Sequence, residues 1–121
     1  MTFAKEGVTT AKDLYARWLG ELWAGEPVAN DLVSEDFVGH WPDLDVHGPD
    51  ELNALVGKML TILSDMRFMV EVEPFGDGNF LAVRWIGTWA MPDGPKRFTG
   101  NDIFRFADGR FVEYWTGTTE G

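Results

Sequence analysis

Between Arg67 and Thr116 the chain consists of four runs rich in β-branched and aromatic residues: Arg67 to Phe75, Asn79 to Met91, Lys96 to Phe106 and Arg110 to Thr116. Gly76-Asp77-Gly78, Pro92-Asp93-Gly94-Pro95 and Asp108-Gly109 separate them. These residues favour tight turns, because glycine and aspartate tolerate positive φ and proline presets its own φ. Connections this short leave no room for a crossover, so neighbouring strands pair antiparallel as a meander. Such a sheet has one apolar face that must be covered, and the cover lies upstream.

From Asp13 to Trp23 the apolar residues Leu14, Tyr15, Trp18, Leu19, Leu22 and Trp23 recur at three and four, which predicts a helix with one wide apolar stripe. Thr9 or Thr10 is the expected N-cap, and Gly25 and Pro27 are the expected stop. Val28 to Val33 suits one further helical turn. Gly48-Pro49-Asp50-Glu51 opens a second long helix, with proline at a first helical position and acids at its positive end. Leu52, Leu55, Val56, Met59, Leu60 and Leu63 line one face of it. Helices first and strands afterwards predict an α+β domain over residues 1–121.

Charge and composition narrow the partners. Ten Lys+Arg against twenty Asp+Glu give a net charge of −10, a field that repels phosphate backbones and anionic lipid surfaces. No cysteine is present, which excludes disulfides, thiolate catalysis and zinc held by cysteine. The opening MTFAKEGVTT has no apolar core of signal-peptide length, and no run is long enough to span a membrane. The expectation is a soluble cytoplasmic domain that binds neither nucleic acid nor membrane.

Alternation along the runs sorts their faces. Phe98, Gly100, Asp102, Phe104 and Phe106 share one face of the third run, and Arg97, Thr99, Asn101, Ile103 and Arg105 share the other. In the second run Leu81, Val83, Trp85, Gly87, Trp89 and Met91 lie opposite Arg84 and Thr88; in the fourth, strict alternation puts Phe111, Glu113 and Trp115 together. Asp102 is therefore an acid among phenylalanines. Burial would raise its pKa and suit it to acid/base or hydrogen-bond catalysis, unless a backbone amide or an arginine satisfies it structurally.

His40, beside Trp41 and Pro42, stands between the two helices, either at a cavity mouth or as an ordinary loop histidine. His47, directly before Gly48-Pro49, reads as a helix-entry residue. Two histidines without a defined third ligand do not make a metal site. Six tryptophans are many for 121 residues. An indole N–H needs a partner when buried, so Trp18, Trp41, Trp85, Trp89 and Trp115, with Phe104, suit the wall of a pocket for a flat apolar ligand as well as they suit a packed core. No glycine-rich phosphate loop and no Gly-x-Ser-x-Gly elbow occurs, and the chemistry is expected to run without a cofactor or metal.

The stretch Thr99-Gly100-Asn101-Asp102-Ile103-Phe104-Arg105-Phe106, continued by Asp108-Gly109-Arg110-Phe111-Val112-Glu113-Tyr114-Trp115, resembles the ending of the SnoaL-like polyketide cyclases, a family of the nuclear transport factor 2-like superfamily. Asp36-Phe37-Val38-Gly39-His40-Trp41-Pro42, followed by His47-Gly48-Pro49-Asp50-Glu51-Leu52, matches the family's loop before its long helix. The resemblance implies a cone-shaped, cystatin-like α+β barrel, a curved antiparallel sheet wrapped around N-terminal helices with a deep pocket. It also implies homodimers packed through their sheets and a cofactor-free intramolecular aldol closure.

By the same resemblance Asp102 takes the position of the family's acid/base aspartate and His40 that of a histidine lining the pocket. Gly87-Thr88-Trp89 departs from the family, which often carries histidine where Trp89 stands. The fold is also similar to that of ketosteroid isomerases. There Asp102 falls on the oxyanion acid, Trp18 near the helix-one tyrosine, and Gly39-His40-Trp41 near the base aspartate. The expected function is a cyclase or related isomerase acting on a hydrophobic carbonyl compound. A non-catalytic binder of small hydrophobic ligands is the alternative, and a hydrolase or dehydratase the third reading.

Overall fold

The computed structural model describes residues 3–121, with the side chains of residues 3–6 and 9 outside the description. Helix α1 runs over Phe3–Gly20, a 3₁₀ turn over Leu22–Ala24, and a four-residue α2 over Ala29–Leu32. Strands β1 (Val33–Trp41) and β2 (Leu44–His47) precede α3 (Gly48–Ile62). The rest is β3 (Ser64–Asp77), β4 (Phe80–Met91), β5 (Gly94–Ala107) and β6 (Arg110–Glu120). No helix among the described residues is long and apolar enough to cross a membrane.

The four expected runs form the meander β3-β4-β5-β6, but the sheet has six strands, in the order β2-β1-β6-β5-β4-β3. β1 and β2 pair as an antiparallel hairpin, and β1 lies parallel to β6. That one parallel contact is possible because α3 and the whole meander separate the two strands in the chain. β2 and β3 remain as free edges, so the cone is a curled sheet rather than a closed barrel. The segment around His40, which lies between helices in the chain, is strand β1, second from one edge of the sheet.

Two helix boundaries also differ from the sequence reading. Thr9 and Thr10 fall inside α1 instead of capping it, because the helix begins at Phe3. At its other end α1 stops at Gly20, and the 3₁₀ turn that follows closes on Gly25, whose φ of 105° requires glycine. α3 starts as predicted, with Pro49 in its first turn. His47 precedes it, and the His47 backbone N–H donates to Glu51 Oε1 at 2.9 Å, which ties the entry of the helix to its first turn. The helices lie in the concave side of the sheet. Trp18 of α1 packs between Phe104, Phe111 and Tyr114, and Leu52 and Val56 of α3 complete the buried core.

Candidate active site

Asp102 is the only buried charged residue among those described, at 3% exposure. The alternation of β5 carries it inward between Gly100 and Phe104, as the sequence predicts. Across the sheet it faces Val83 on β4 and Thr116 on β6. Both carboxylate oxygens accept a hydrogen bond: Oδ1 from the Thr116 hydroxyl at 2.7 Å, and Oδ2 from the Trp85 indole N–H at 3.0 Å. Burial pushes the Asp102 pKa up to about 6, against the opposing pull of Thr116, Trp85 and Tyr114. The group is a carboxyl poised to exchange a proton near neutrality in an apolar setting.

That setting is a cavity of about 250 Å³. Tyr15, Trp18, Leu19 and Trp23 enclose it from α1 and the 3₁₀ turn, Trp41 and Pro42 from the β1–β2 hairpin, and Met59 from α3. The sheet contributes Phe68, Trp85, Trp89, Phe98, Asp102, Tyr114, Thr116 and Thr118. The wall is mostly apolar, with aromatic rings alongside Leu19, Pro42, Met59, Leu63 and Met66, and Trp89 stacks on Phe98 with ring centres 4.3 Å apart. Tyr15, 3% exposed, lines the same cavity close enough to Asp102 to feel its charge, with its ring held edge-on by Phe104 at 5.7 Å. Its hydroxyl is buried and has no hydrogen-bond partner among the described residues; the Trp89 Nε1 is in the same position. Burial, then the charge of Asp102, raises the Tyr15 pKa well above the usual range, so the phenol stays protonated and remains a donor. Tyr114, fully buried, is raised for the same two reasons.

Of the residues expected at the site, the structure brings together Asp102, Trp18, Trp41, Trp85 and Trp89. Three others lie elsewhere. Phe104 is wholly buried behind the wall, stacked on Phe111 and edge-on to Trp18. Trp115 and His40 are on the convex face of the sheet, stacked on one another with centres 5.6 Å apart. His40 Nδ1 meets Asp45 at 3.1 Å and Nε2 meets Glu113 at 2.7 Å. The Glu113 bond foremost raises its pKa, and Glu113, which also binds Arg105 at 3.1 Å, is lowered in return. His40 therefore ties β1, β2 and β6 together, outside the cavity.

Why Trp115 points outward is local. Phe106 pairs with Phe111, but Arg105 pairs with Glu113, so Val112 is an extra residue in β6. This bulge flips the face of everything after it. Phe111 points inward, and beyond the bulge Tyr114, Thr116 and Thr118 point inward while Glu113 and Trp115 point outward. Strict alternation therefore missed Tyr114 and Thr116. Tyr15 was legible as a helix-stripe residue, but nothing in the pattern marks its hydroxyl. No cluster of three or more His, Cys, Asp or Glu suited to a metal occurs among the described residues.

A sequence model of the SnoaL-like domain matches residues 12–114, which includes every cavity residue except Thr116 and Thr118. The chain belongs to the SnoaL-like domain family. No curated protein sequence matches it, but solved structures of the family's fold do. One assigned to the SnoaL-like polyketide cyclases, from Jannaschia sp. CCS1, superposes with a TM-score of 0.80 at 18% identity, covering 91% of this chain and 85% of that one. IdmH of Streptomyces antibioticus, described as a polyketide cyclase, gives 0.75 at 20% identity over 89% and 91%. An epoxide hydrolase of M. tuberculosis gives 0.76 at 16% identity over 93% and 84%. At these identities the likeness is one of fold, and neighbours on it are assigned different chemistries.

Proposed function

We propose that this SnoaL-like domain is an enzyme for hydrophobic carbonyl compounds, with Asp102 as its acid/base, closing a ring by intramolecular aldol addition or carrying out a related isomerisation. One observation supports this above all: a 3%-exposed carboxyl, raised to about 6, facing an aromatic cavity. A base of that strength is matched to removing a proton next to a carbonyl near neutral pH, where positioned acid/base groups supply ~10²–10⁴-fold in rate. Asp102 takes the proton from carbon, and the C–H electron pair passes into the enolate. The enolate carbon attacks a second carbonyl, and the alkoxide formed there takes the proton back from Asp102. Every proton is returned, so the cycle needs no cofactor.

The alternative is a non-catalytic binder. It is favoured by the position of His40 outside the cavity and of Trp89 where the family often has histidine, which leave Asp102 without a second titrating partner of ordinary pKa. Hydrolysis fits less well, because apart from Asp102 the lining offers only threonines and high-pKa tyrosines to orient a water. We also propose a homodimer formed through the convex sheet face and a soluble, cytoplasmic setting.

The test is deuterium exchange into the α-position of 2-tetralone, followed by NMR. The enzyme reading expects saturable acceleration that falls about 100-fold or more in Asp102→Asn while the ketone still binds. Equal exchange in the variant overturns the role of Asp102. Binding by the native chain without acceleration favours the binder.

A further inference from the structure

An aspartate carboxyl turns easily about its last bond, because that torsion is broad and two-fold. A base that takes a proton from carbon and returns it to oxygen needs its carboxyl plane fixed, since a misplacement of ~1 Å can cost about 100-fold in rate. Asp102 is held from two sides. The Trp85 indole N–H on β4 donates to Oδ2 at 3.0 Å, and the Thr116 hydroxyl on β6 donates to Oδ1 at 2.7 Å. Thr116 itself lines the cavity beside the acid.

The two contacts are not equivalent. An indole N–H only donates, whereas a hydroxyl both donates and accepts. Both contacts serve the carboxylate. Once Asp102 is protonated, Thr116 still keeps its bond: it donates to Oδ1 when that oxygen is bare and accepts from it when it carries the proton. Trp85 has only the first option at Oδ2. Among the described residues, the titratable groups that face Asp102 are Tyr15 from α1 and Tyr114 from β6. Burial keeps both phenols protonated, so neither changes charge when Asp102 does. The next charge, Glu73 on β3, acts on Tyr15.

The hydroxyl is in place because β6 carries an extra residue. Ala107 pairs with Arg110 and Phe106 with Phe111; continued in step, that pairing would set Trp115 opposite Asp102. The bulge at Val112 sets Thr116 there instead. The acid thus meets a hydroxyl where unbroken pairing would offer a second indole.

We infer that Thr116 is the positioning residue of the acid/base: its hydroxyl holds the plane of the Asp102 carboxyl in both protonation states, through a bond that reverses when Oδ1 carries the proton. The inference rests on the reading of Asp102 as the group that takes and returns the proton. Trp85 supports the ionised form, and Thr116 carries the group through the cycle.

The test is the pH profile of 2-tetralone exchange for the native chain, Thr116→Val and Thr116→Ser, with Asp102→Asn as reference, beside carboxyl-carbon NMR titration of Asp102 in each. Valine keeps the shape of threonine and removes the hydroxyl. In Thr116→Val the inflection and the NMR midpoint should both rise above about 6, because the ionised form loses a donor. The plateau rate should fall about ten- to a hundredfold, while the half-saturating ketone concentration changes less than about twofold. A stronger base that works more slowly is what a lost positioning contact leaves, since a change in basicity alone would raise the rate. Thr116→Ser should recover the midpoint and most of the plateau.

A raised midpoint with an undiminished plateau would mean that Thr116 tunes the acid without positioning it. An unmoved midpoint would mean that it does not bond to the carboxyl, and a plateau that serine fails to recover would assign the loss to packing. Each of these overturns the inference and leaves Asp102 as the base. Undiminished exchange in Asp102→Asn, or no acceleration by the native chain, overturns the reading of Asp102 itself and the role of Thr116 with it.

Discussion

Trp85 and Gly100 face one another across β4 and β5, and the Trp85 indole lies over the bare Cα of Gly100. Any Cβ at position 100 would overlap the indole, Nε1 included. Because the ring occupies that space, its N–H reaches Asp102 Oδ2 at 3.0 Å. A missing side chain on one strand thus sets the hydrogen bonding of the acid two residues further along it.

Gly100→Ala should accordingly act on Asp102 through Trp85. The indole must leave its place, Oδ2 loses a donor that favours the charged form, and the Asp102 pKa should rise above about 6. The strain should cost about 1–3 kcal/mol in stability. Carboxyl-carbon NMR titration of Asp102 checks the first effect and urea unfolding the second. An unchanged titration would mean that Trp85 does not control the acid.

Asp102→Asn should make the fold less sensitive to pH. With the folded pKa near 6 and an unfolded value of ~3.9, the native state holds the extra proton between those limits. Stability from this group is complete below about pH 4 and falls as pH rises through 6. The total is on the order of 2–3 kcal/mol, from a shift of about two units at 1.36 kcal/mol each. The difference in unfolding free energy between the native chain and Asp102→Asn should therefore change by that amount from pH 4 to pH 8, moving in the variant's favour. The exchange rate of 2-tetralone should follow the ionised form, rising through pH 6 in the native chain and staying flat in the variant. A native profile with no inflection near 6 would exclude Asp102 as the base.

The legibility of this fold in the sequence follows the rules that set each part. The meander was readable because turn residues and period-2 alternation are local, and they placed Asp102, Trp85 and Trp89 on the inner face. β1 and β2 were not readable, since Glu35 to Trp41 has no clean alternation and its parallel partner β6 lies more than seventy residues away. The bulge at Val112 is equally silent: no glycine or proline marks it, and a single extra residue exchanged Trp115 for Tyr114 and Thr116 at the site. Family resemblance carried His40 into the pocket, but the two carboxylates that hold it on the convex face, Asp45 and Glu113, come from strands whose pairing only the fold reveals.

His40→Gln should leave α-proton exchange within about twofold of the native rate, because the side chain is outside the cavity. Its effect should appear in stability and depend on pH. The His40 pKa is raised in the folded state, chiefly by Glu113, so its contribution is complete below the unfolded value of ~6.5 and lost as pH rises through the folded value. On a partly exposed pair this is worth up to about 1 kcal/mol. Melting of both proteins at pH 5.5 and 9 checks it: the gap should be wider at pH 5.5. A collapse of exchange activity at equal stability would return His40 to the chemistry.

The convex face bears an apolar row across four strands. Phe75 pairs with Ala82, Ala82 with Ile103, and Ile103 with Trp115, which places all four side by side. Phe75 is 59% exposed and Ile103 46%. The proposed dimer would cover this row. Ile103→Glu should then convert a dimer into a monomer in sedimentation at tens of micromolar while exchange of 2-tetralone per chain is kept. A native chain that sediments as a monomer would refute the dimer outright.

Tyr15→Phe should separate what the fold wants from what the site wants. Its hydroxyl has no hydrogen-bond partner among the described residues, and a buried unmet donor costs about 1–3 kcal/mol. Phenylalanine keeps the ring that Phe104 packs against and removes only that donor, so the variant should unfold at a higher temperature than the native chain, by about 4 °C for each kcal/mol recovered. Exchange of 2-tetralone tells whether the hydroxyl turns to the substrate during turnover: the rate should fall about tenfold or more where the enolate oxygen uses this donor. A gain in stability with a loss in rate is the signature of a group kept for function against the interest of the fold. Lower stability would mean that the hydroxyl is satisfied in the free protein, and an unchanged rate would mean that it does not face the reacting oxygen.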